Sequence, residues 1–392
     1  MSSQTPTLSD VVAHLERRYP PATAESWDAV GLVTGDPAQP VRKVLFAVDA
    51  VAAVAEEAVE WGADLVVVHH PLLLRGVHSI AADEPKGALL HRLVRAGCAL
   101  YAAHTNADSA TRGVADALAD VLGVVDTRPL VPAPAGGDLD KHVVLVPEED
   151  ADRIIDALSR AGAGAIGDYE RCAWTTTGTG TFVPLDGADP AIGTVGEVAQ
   201  VRETRVEMVA PRHLRSAVVA AMRAAHPYEE PAFDVLELAP PATSTGLGRL
   251  GRLEAPTTLR AFAERVAQVL PATPQGVRVA GDLDAEVETV AVLGGSGDSE
   301  IASARAAGAD VYVTSDLKHH PVSDARELDT LRGDGRPFLV DTAHFASEWP
   351  WLRYAAEDLA SDVAGAGGEI EVRVSTLRTD PWTARFASPD RD

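Results

Sequence analysis

Short apolar segments alternate with amphipathic segments through the first third of the chain. The apolar runs Lys43–Val48, Leu65–Val68 and Ala99–Ala103 have the length and continuity of buried parallel strands. Between them, Val51–Trp61 and Lys86–Ala96 show helical apolar spacing, and each is followed by a glycine, as helix C-termini often are. We therefore predict a β-α-β-α-β arrangement with right-handed crossovers.

A different pattern begins near residue 126. Residues 126–140 are rich in proline and glycine and are interpreted as a linker, and a second loop is predicted at 240–245. Between them, strand and helix patterns follow in the order β-α-β-β-α-β, which is typical of a ferredoxin-like unit. The strands are predicted at 142–146, 171–182, 204–209 and 232–238, and the helices at 150–161 and 211–225. We therefore predict an inserted α+β domain at residues 130–243.

The alternating pattern then returns, and the two outer parts of the chain resemble each other. GADLVVVHHP at residues 62–71 aligns with GADVYVTSDLKHHP at 308–321, and residues 97–104 align with 336–344 in the same order. Two matches in one order indicate an internal duplication. The predicted fold is thus α/β, with two related halves forming one discontinuous domain at 1–129 and 244–392.

Composition narrows the classes of function. The 392 residues carry 34 Lys and Arg against 58 Asp and Glu, a net charge of −24, which argues against a nucleic-acid partner or an anionic membrane surface. The two cysteines are far apart and favour a reducing compartment. The first residues do not have the pattern of a signal peptide, and no apolar run has the roughly 20 residues of a membrane span. We expect a cytoplasmic protein.

Histidine and carboxylate side chains follow three of the predicted strands. They are His69 and His70, then His104 and Asp108, and finally His344 and Glu348. Because the carboxyl ends of parallel strands meet at one edge of a sheet, we expect these groups to converge. Histidine with carboxylate suits Zn, Mn or Fe, and this set exceeds the needs of one tetrahedral ion. The sequence therefore predicts two divalent ions, bridged by one carboxylate.

One local expectation concerns the last pair. Ser347 is interpreted as a helix N-cap, and Pro350 is tolerated only in a first turn, so Glu348 is expected to open a helix and not to share one with His344. A single histidine at a strand end, such as His69, is more often a polar terminator than a ligand. Three strand ends that all carry histidine or carboxylate favour the metal site.

Of three further motifs, one excludes a function and the other two each allow two interpretations. The glycines of GLGRLG at 246–251 precede no helix, so a dinucleotide-binding turn is rejected. Gly295 and Ser296 lie between a strand and a helix, where backbone amides could hold a phosphate or simply form a tight turn. His319 could bind an anionic substrate and His320 could assist catalysis, or both could face solvent.

Several motifs together resemble the NGG-one-interacting-factor-three-like family, also called GTP cyclohydrolase 1 type 2 homologues. They are WDAVGL at 27–32, VHHP at 68–71, HTNAD at 104–108, GLGRLG at 246–251, KHH at 318–320 and HFASE at 344–348. The resemblance implies a dinuclear metal centre between two α/β halves, assembly as a toroidal homohexamer, and an insert related to the PII and divalent-cation-tolerance proteins. One departure is Ala29, where the family usually has Asn.

The resemblance also assigns residues. It implies that the metal ligands are His69, His70, Asp108, His344 and Glu348, with His104 close by. Three functions then stay open. The first is a dinuclear-metal hydrolase of a small phosphorylated or nucleotide substrate, with His104 and His320 as candidate proton-transfer groups. The second is a GTP cyclohydrolase that opens the guanine ring. The third is a non-catalytic metal-binding or regulatory scaffold.

Overall fold

The structure is a computed structural model that describes residues 5–133, 138–239, 243–333 and 335–387. The chain divides into two compact units, one formed by Met1–Ala133 with Ser244–Asp392 and the other by Pro134–Thr243. The class is mixed α/β, with two sheets in the first unit and one in the second. None of the helices in these ranges is long and apolar enough to span a membrane.

We call the unit formed by Met1–Ala133 and Ser244–Asp392 the outer unit. Its first half contains five strands and five α-helices within the described residues. In chain order they are α1 Leu8–Arg18, β1 Gly31–Thr34, β2 Lys43–Ala47, α2 Ala52–Trp61, β3 Leu65–Val68, α3 Pro85–Arg95, β4 Ala99–Ala102, α4 Thr105–Ser109, α5 Val114–Val121 and β5 Val124–Pro132. The predicted β-α-β-α-β order is present as β2-α2-β3-α3-β4, with all three strands parallel.

The second unit has one antiparallel sheet and two helices among its described residues. Its elements are β6 Leu139–Pro147, α6 Ala151–Arg160, β7 Trp174–Phe182, β8 Ala199–Pro211, α7 Arg215–Ala225 and β9 Phe233–Glu237. The strand order is β7-β8-β6-β9, and each neighbouring pair is antiparallel. Apolar side chains of α6, α7, β6 and β8 form its core.

The second half of the outer unit completes the chain. Its elements are β10 Gly246–Thr258, α8 Leu259–Val269, β11 Arg278–Ala280, β12 Glu286–Ser296, α9 Ile301–Ala306, β13 Val311–Ser315, α10 His319–Arg332, β14 Phe338–Thr342, α11 His344–Glu348, α12 Trp351–Gly365 and β15 Glu371–Val374.

The two sheets of the outer unit share a central arrangement of strands. Their strand orders are β1-β4-β3-β2-β15 and β11-β14-β13-β12-β10-β5. Each sheet contains three parallel strands, β2-β3-β4 or β12-β13-β14, flanked at one edge by a short antiparallel strand, β1 or β11. At the other edge the sheets differ, because the first adds the parallel strand β15 and the second adds the antiparallel strands β10 and β5. The strands β4 and β14 are each followed by a short helix and then a longer one. Equivalent strand ends, those of β4 and β14, therefore lead into the equivalent short helices α4 and α11.

The halves exchange their last elements. The strand β5 belongs to the first half by sequence but lies at the edge of the second sheet, and β15 of the second half pairs with β2 of the first. Likewise Trp351 and Leu352 of α12 pack with Leu8 and Val11 of α1, while Leu118 of α5 is buried in the core of the second half. This exchange buries apolar side chains of both halves together and fixes the two sheets relative to each other.

The predicted linker at 126–140 is wrong for much of its length. Residues 124–132 form the strand β5, because Val124 and Leu130 are buried and the strand pairs with β10. Pro129 and Pro132 are compatible with this, since an edge strand needs hydrogen bonds on one side only. Residues 134–137 and 240–242, which the two predicted loops include, lie outside the described residues.

Candidate metal centre

Two neighbouring strands of the first sheet place three histidines together. β3 ends at Val68 and is followed by His69 and His70, and β4 ends at Ala102 and is followed shortly by His104. The ring centroid of His69 lies 5.1 Å from the ring centroid of His70 and 5.1 Å from that of His104. The predicted convergence of these side chains is therefore observed.

The His69 ring is completely buried and held in one orientation. Its Nδ1 lies 2.8 Å from the backbone oxygen of Ala103, so Nδ1–H donates to this carbonyl, and in the neutral ring Nε2 carries the lone pair. Nε2 lies 3.6 Å from Oδ1 of Asp108 and 3.5 Å from Oε1 of Glu348. This tautomer leaves Nε2 available as a metal ligand, aimed at two carboxylates.

His70 and His344 come from different halves and face each other. Their Nε2 atoms are 3.1 Å apart, and Glu348 approaches both, with Oε2 3.2 Å from His70 Nε2 and Oε1 2.9 Å from His344 Nε2. Each ring is oriented from behind by a carboxylate, 2.7 Å from Asp49 for His70 and 2.6 Å from Asp316 for His344. Carboxylate–histidine pairs of this kind orient histidines that ligate metals.

The expectation that His344 and Glu348 do not share a helix is wrong. Both lie in α11, four residues apart, and the next helix starts after Pro350. Ser347 does not cap a helix. Its hydroxyl donates to the backbone oxygen of His344 at 2.8 Å and accepts from the amide of Gly295 at 2.9 Å. Because residues i and i+4 lie on one helix face, α11 itself aligns the two ligand groups.

Burial and charge act against each other on the ionisable groups. Burial raises the pKa of Glu348, but the histidines around it hold that pKa well below its usual range. Burial lowers the pKa of His70 and His344, yet Glu348 and the carboxylates behind the rings raise these values to about 11 and about 10. Burial raises the pKa of Asp108 to about 6. The cluster of carboxylates therefore strongly favours positive charge at its centre.

The residues fit divalent metal ions. His69 Nε2, Asp108 Oδ1 and Glu348 Oε2 are buried without a hydrogen-bond partner in the described part of the chain, which is costly for polar atoms unless a ligand satisfies them. Ligand atoms lie within 4.8 Å of one another in two groups, one of His69, His70 and His104 and one of His70, His344 and Glu348. Such mixed nitrogen and oxygen donors are typical ligands of Zn, Mn and Fe.

His104 is oriented by a carboxylate that the sequence interpretation did not identify. Its Nδ1 lies 2.9 Å from Oδ1 of Asp28, and Oδ2 of the same carboxylate accepts from the amide and the hydroxyl of Thr105. Burial lowers the pKa of His104, and the neighbouring His69 lowers it further. Burial raises the pKa of Asp28, but the bonds from Thr105 and His104 outweigh it and lower that pKa. An ionised Asp28 thus holds Nδ1–H and leaves Nε2 of His104 unprotonated.

The predicted substrate-binding residues lie in two places. Gly295 and Ser296 are the last two residues of β12, and not the turn after it that was expected from the sequence. Gly295 has a φ of +71, and its amide already donates to Ser347. Ser296 is exposed. His319 and His320 lie in the first turn of α10, both exposed and in contact with each other, outside the two groups of ligand atoms found in the described residues. Substrate contact and catalysis by these side chains stay predictions.

The carboxylates behind the histidines, Asp28, Asp49 and Asp316, were missed in the sequence. For two of them the sequence contained the information needed. Asp49 follows β2 closely and Asp316 immediately follows β13, and a position just after a strand is what identified His69 as a candidate. The third, Asp28, lies in the WDAVGL motif. Its neighbour Trp27 is 57% exposed and contacts the His104 ring edge-on at 5.9 Å.

The motif GLGRLG has a structural explanation. Its residues lie in β10, and Arg249 is only 2% exposed, in an ion pair with Asp116. The guanidinium also donates to the backbone oxygens of Gly246, Gly248 and Ala110. The glycines allow close approach of the neighbouring strands, because a Cβ at Gly246 would lie 2.3 Å from the backbone oxygen of Val131 in β5 and one at Gly248 would lie 2.8 Å from that of Val292 in β12. This structural role agrees with the rejection of the dinucleotide interpretation.

Comparisons with known proteins agree on one family. The profile of the Duf34/NIF3 (NGG1p interacting factor 3) family matches residues 6–381. A Mycobacterium tuberculosis protein named GTP cyclohydrolase 1 type 2 homolog is 52% identical over 96% of this chain and 96% of its own length. A Bacillus subtilis protein of the same name is 40% identical over 95% and 97%.

Solved structures lead to the same result. A crystal structure of a Bacillus cereus protein related to NIF3 is 38% identical, with a TM-score of 0.66 over 97% of this chain and all of that one. A Staphylococcus aureus protein is 29% identical, with a TM-score of 0.68 over 97% and 99%. The match spans nearly the whole chain by sequence and by structure, and the protein belongs to the DUF34/NIF3 family.

Proposed function

We propose that the protein is a hydrolase that uses two divalent metal ions and acts on a small phosphorylated or nucleotide substrate. The observation that carries this proposal is the convergence of three buried ligand atoms that have no hydrogen-bond partner in the described residues, His69 Nε2, Asp108 Oδ1 and Glu348 Oε2. They lie at ion-pair distance from their neighbours, 3.6 Å between His69 and Asp108 and 3.2 Å between Glu348 and His70. A structural hydrogen-bond network would instead satisfy such atoms.

The distances between the ligand atoms suggest how the ions would be shared. His69 and Asp108 would hold one ion, and His70 and His344 the other, with the carboxylate of Glu348 between them. When bound, two such ions polarise an ester or ring carbon and lower the pKa of a bound water toward neutrality.

The side chains of this protein supply positioning and proton transfer. Asp49 and Asp316 fix the rings of His70 and His344, so that these ligands need no rearrangement on binding. His104, with Asp28 at Nδ1, offers an unprotonated Nε2 near the cluster and is suited to accept a proton from a nucleophile. The alternative role of His104 is that of an additional ligand.

A cavity with cationic side chains in its lining is our candidate substrate site. It has a volume of about 370 Å³ and is lined by Arg278, Lys318 and His319. Arg278 also pairs with Asp341 in the same lining and Lys318 pairs with Asp298, so a substrate anion would share these cations with the two carboxylates. The cavity is also lined by Leu317, the residue after Asp316, which connects it along the chain to the cluster. Arginine, lysine and histidine side chains recognise phosphate through charge-assisted hydrogen bonds. His319 and the neighbouring His320 keep their proposed roles in substrate binding and catalysis on this basis.

A second candidate is the opening of the guanine ring of GTP. It is favoured by the name of the Mycobacterium tuberculosis and Bacillus subtilis relatives, GTP cyclohydrolase 1 type 2 homolog. A third candidate, a metal-binding scaffold without catalysis, shares the ligand set and differs only in turnover.

The assembly and the second unit belong to the same proposal. By resemblance to the family we propose a toroidal homohexamer in the cytoplasm. The order β7-β8-β6-β9 with two helices supports a ferredoxin-like fold for the second unit, which we propose to be related to the PII and divalent-cation-tolerance proteins.

A substrate screen tests the proposed activity. The chelator-treated full chain is reconstituted with Zn, Mn or Fe and assayed against phosphate esters, nucleotides and GTP. We expect metal-dependent release of phosphate, or ring opening if the second candidate holds, that is lost in His70→Ala. Activity unchanged in His70→Ala assigns the reaction to another site or a contaminant. Stoichiometric metal binding without turnover of any substrate favours the scaffold.

A further inference from the structure

The second unit contains a cavity of its own, remote in sequence from every metal-ligand candidate. Its volume is about 350 Å³, within the range of pockets that hold small molecules. Its walls come from the turn at 226–232 and from the long loop 183–198 that joins β7 to β8. Pro184 and Ile192 of this loop, with Leu145 of β6, make the lining largely apolar.

A single buried carboxylate lies in this apolar lining. Glu203 of β8 is 8% exposed, and within the described ranges no lysine, arginine or histidine forms an ion pair with it. Its one assigned hydrogen bond comes from the hydroxyl of Tyr228, at 3.1 Å. The two other glutamates that line the cavity have partners, since Glu229 accepts from the amide of Asp189 and Glu230 lies 3.9 Å from Arg223. A buried carboxylate without a cationic partner is unfavourable unless a ligand supplies the charge.

The neighbouring strand leaves room for this carboxylate. Gly180 lies in the interior of β7, where a Cβ would come within 2.1 Å of Oε2 of Glu203. A glycine inside a strand lowers stability, and such glycines often mark a place where a side chain or a ligand needs a close approach. Gly178, two residues earlier in the same strand, has no atom within 4 Å of its Cβ position. The close contact is therefore specific to Gly180 and Glu203.

Aromatic rings complete the lining. Phe182 and Tyr228 pack edge-to-face with centroids 5.8 Å apart, and both line the cavity. The turn that carries Tyr228 is fixed by His226, whose Nδ1 accepts from the amide of Tyr228 while Nε2 donates to the backbone oxygen of Leu145. Burial and the adjacent carboxylate raise the pKa of Tyr228 to about 12, so its hydroxyl remains a donor to Glu203.

We propose that this cavity is a binding site for a small organic cation, an amine with an apolar body, whose ammonium group pairs with Glu203 and contacts the rings of Phe182 and Tyr228. The carboxylate supplies the charge, and aromatic faces attract cations when water is excluded. The apolar walls suit a carbon skeleton. A divalent metal ion would need several oxygen ligands, and this largely apolar lining has one buried carboxylate, that of Glu203.

The test uses the full chain and two pairs of probes in isothermal titration calorimetry. The first pair is 2-phenylethylamine and its neutral analogue 2-phenylethanol, and the second is agmatine, which adds a guanidinium, and its neutral analogue 4-acetamidobutan-1-ol. We expect saturable binding of at least one cation, at about one per chain, and binding at least about tenfold weaker for its neutral analogue.

Three variants identify the site. Glu203→Gln keeps the size of the side chain and an acceptor for Tyr228, and we expect it to weaken cation binding by about tenfold or more. Tyr228→Phe is expected to weaken it less, because the ring is kept. The matched control is Glu197→Gln, an exposed glutamate outside the cavity lining, which should bind as the wild type does.

Several outcomes would overturn the proposal. They are the absence of saturable binding by every cation, equal binding of the neutral analogues, or unchanged binding in Glu203→Gln. A change of solution mass in Glu203→Gln, without cation binding by the wild type, would instead assign the cavity to a contact with a second copy of the chain. Because the probes carry no metal and no phosphate, these results are independent of the outcome at the metal centre.

Discussion

Gly295 and Glu348 are in direct contact in the metal centre: a Cβ on Gly295 would lie 2.6 Å from Oε1 of Glu348. The same Cβ position is 3.4 Å from Nε2 of His344. The absence of a side chain at residue 295 therefore lets the proposed bridging carboxylate and one of its histidines occupy their positions. Gly295 therefore has a steric role beside the proposed ligands that is separate from any role in substrate binding.

This contact gives the first prediction. Gly295→Ala should displace Glu348 and lower the affinity for divalent metal by about tenfold or more, an effect comparable to the loss of an outer-shell partner. Its φ of +71 adds about 1 kcal/mol of backbone strain for alanine. The measurement is competition with a chromophoric chelator. Gly76→Ala is the control, because no atom lies within 4 Å of its Cβ position. Equal metal affinity of both variants would contradict the contact.

The second prediction concerns the carboxylates behind the histidines. Asp49→Asn and Asp316→Asn should each reduce metal affinity by about ten- to a hundredfold, because an amide neither orients nor polarises the ring as a carboxylate does. The circular dichroism spectrum should not change. The exposed Asp186→Asn serves as the control. If either site variant bound metal as the wild type does, the orienting role of that carboxylate would be refuted.

The third prediction is that the outer unit folds without the second unit. The amide of Ala133 donates to the backbone oxygen of Thr245 at 3.0 Å, so the chain leaves and re-enters the outer unit at adjacent points. A variant that lacks residues 134–243 and has a short flexible linker instead should remain folded and bind as much metal as the full chain. Insoluble protein, or protein that binds no metal, would count against an independent outer unit.

The fourth prediction is a pH dependence within the second unit. Arg215 and then Arg212 hold the pKa of the buried Asp140 below its usual range. A carboxylate with a depressed pKa in the folded state stabilises that state above its unfolded pKa of about 3.8, and this stabilisation is lost as the pH falls through the folded value. Asp140→Asn should therefore be less stable than the wild type at pH 7, and the difference should shrink below pH 4.

Thermal unfolding of the two proteins between pH 7 and pH 3 measures this effect, and Asp168→Asn, at an exposed position of the same unit, is the control. A difference between wild type and Asp140→Asn that stays constant over the whole range would contradict the assignment.

The proposed histidine ligands could be predicted from the sequence because each lies within two residues of a strand end. His69 and His70 end a run of buried residues, and this position alone brings them to the edge of a parallel sheet. The helix that joins His344 to Glu348 could not be predicted. A serine before a helix can cap it or bond back to a carbonyl of the preceding turn, and only the contact of Ser347 with Gly295 decides between these.

The strand β5 shows a second limit. Its prolines and glycine-rich continuation indicate a linker, whereas its pairing with β10 depends on a segment more than a hundred residues away in sequence. The same holds for Asp28, whose role depends on its contact with His104 across the fold. Local pattern predicts what lies at strand ends, while the partners behind those groups are set by tertiary contacts.

The number of divalent ions bound per chain decides whether the proposed centre is dinuclear. Elemental analysis of the reconstituted wild type, after dialysis, should give about two ions, and Glu348→Gln should lose most of both, because this carboxylate is placed between the two sets of ligands. Asp108→Ala should lose mainly one ion. One ion or none in the wild type, or two ions retained in Glu348→Gln, would contradict a dinuclear centre bridged by Glu348.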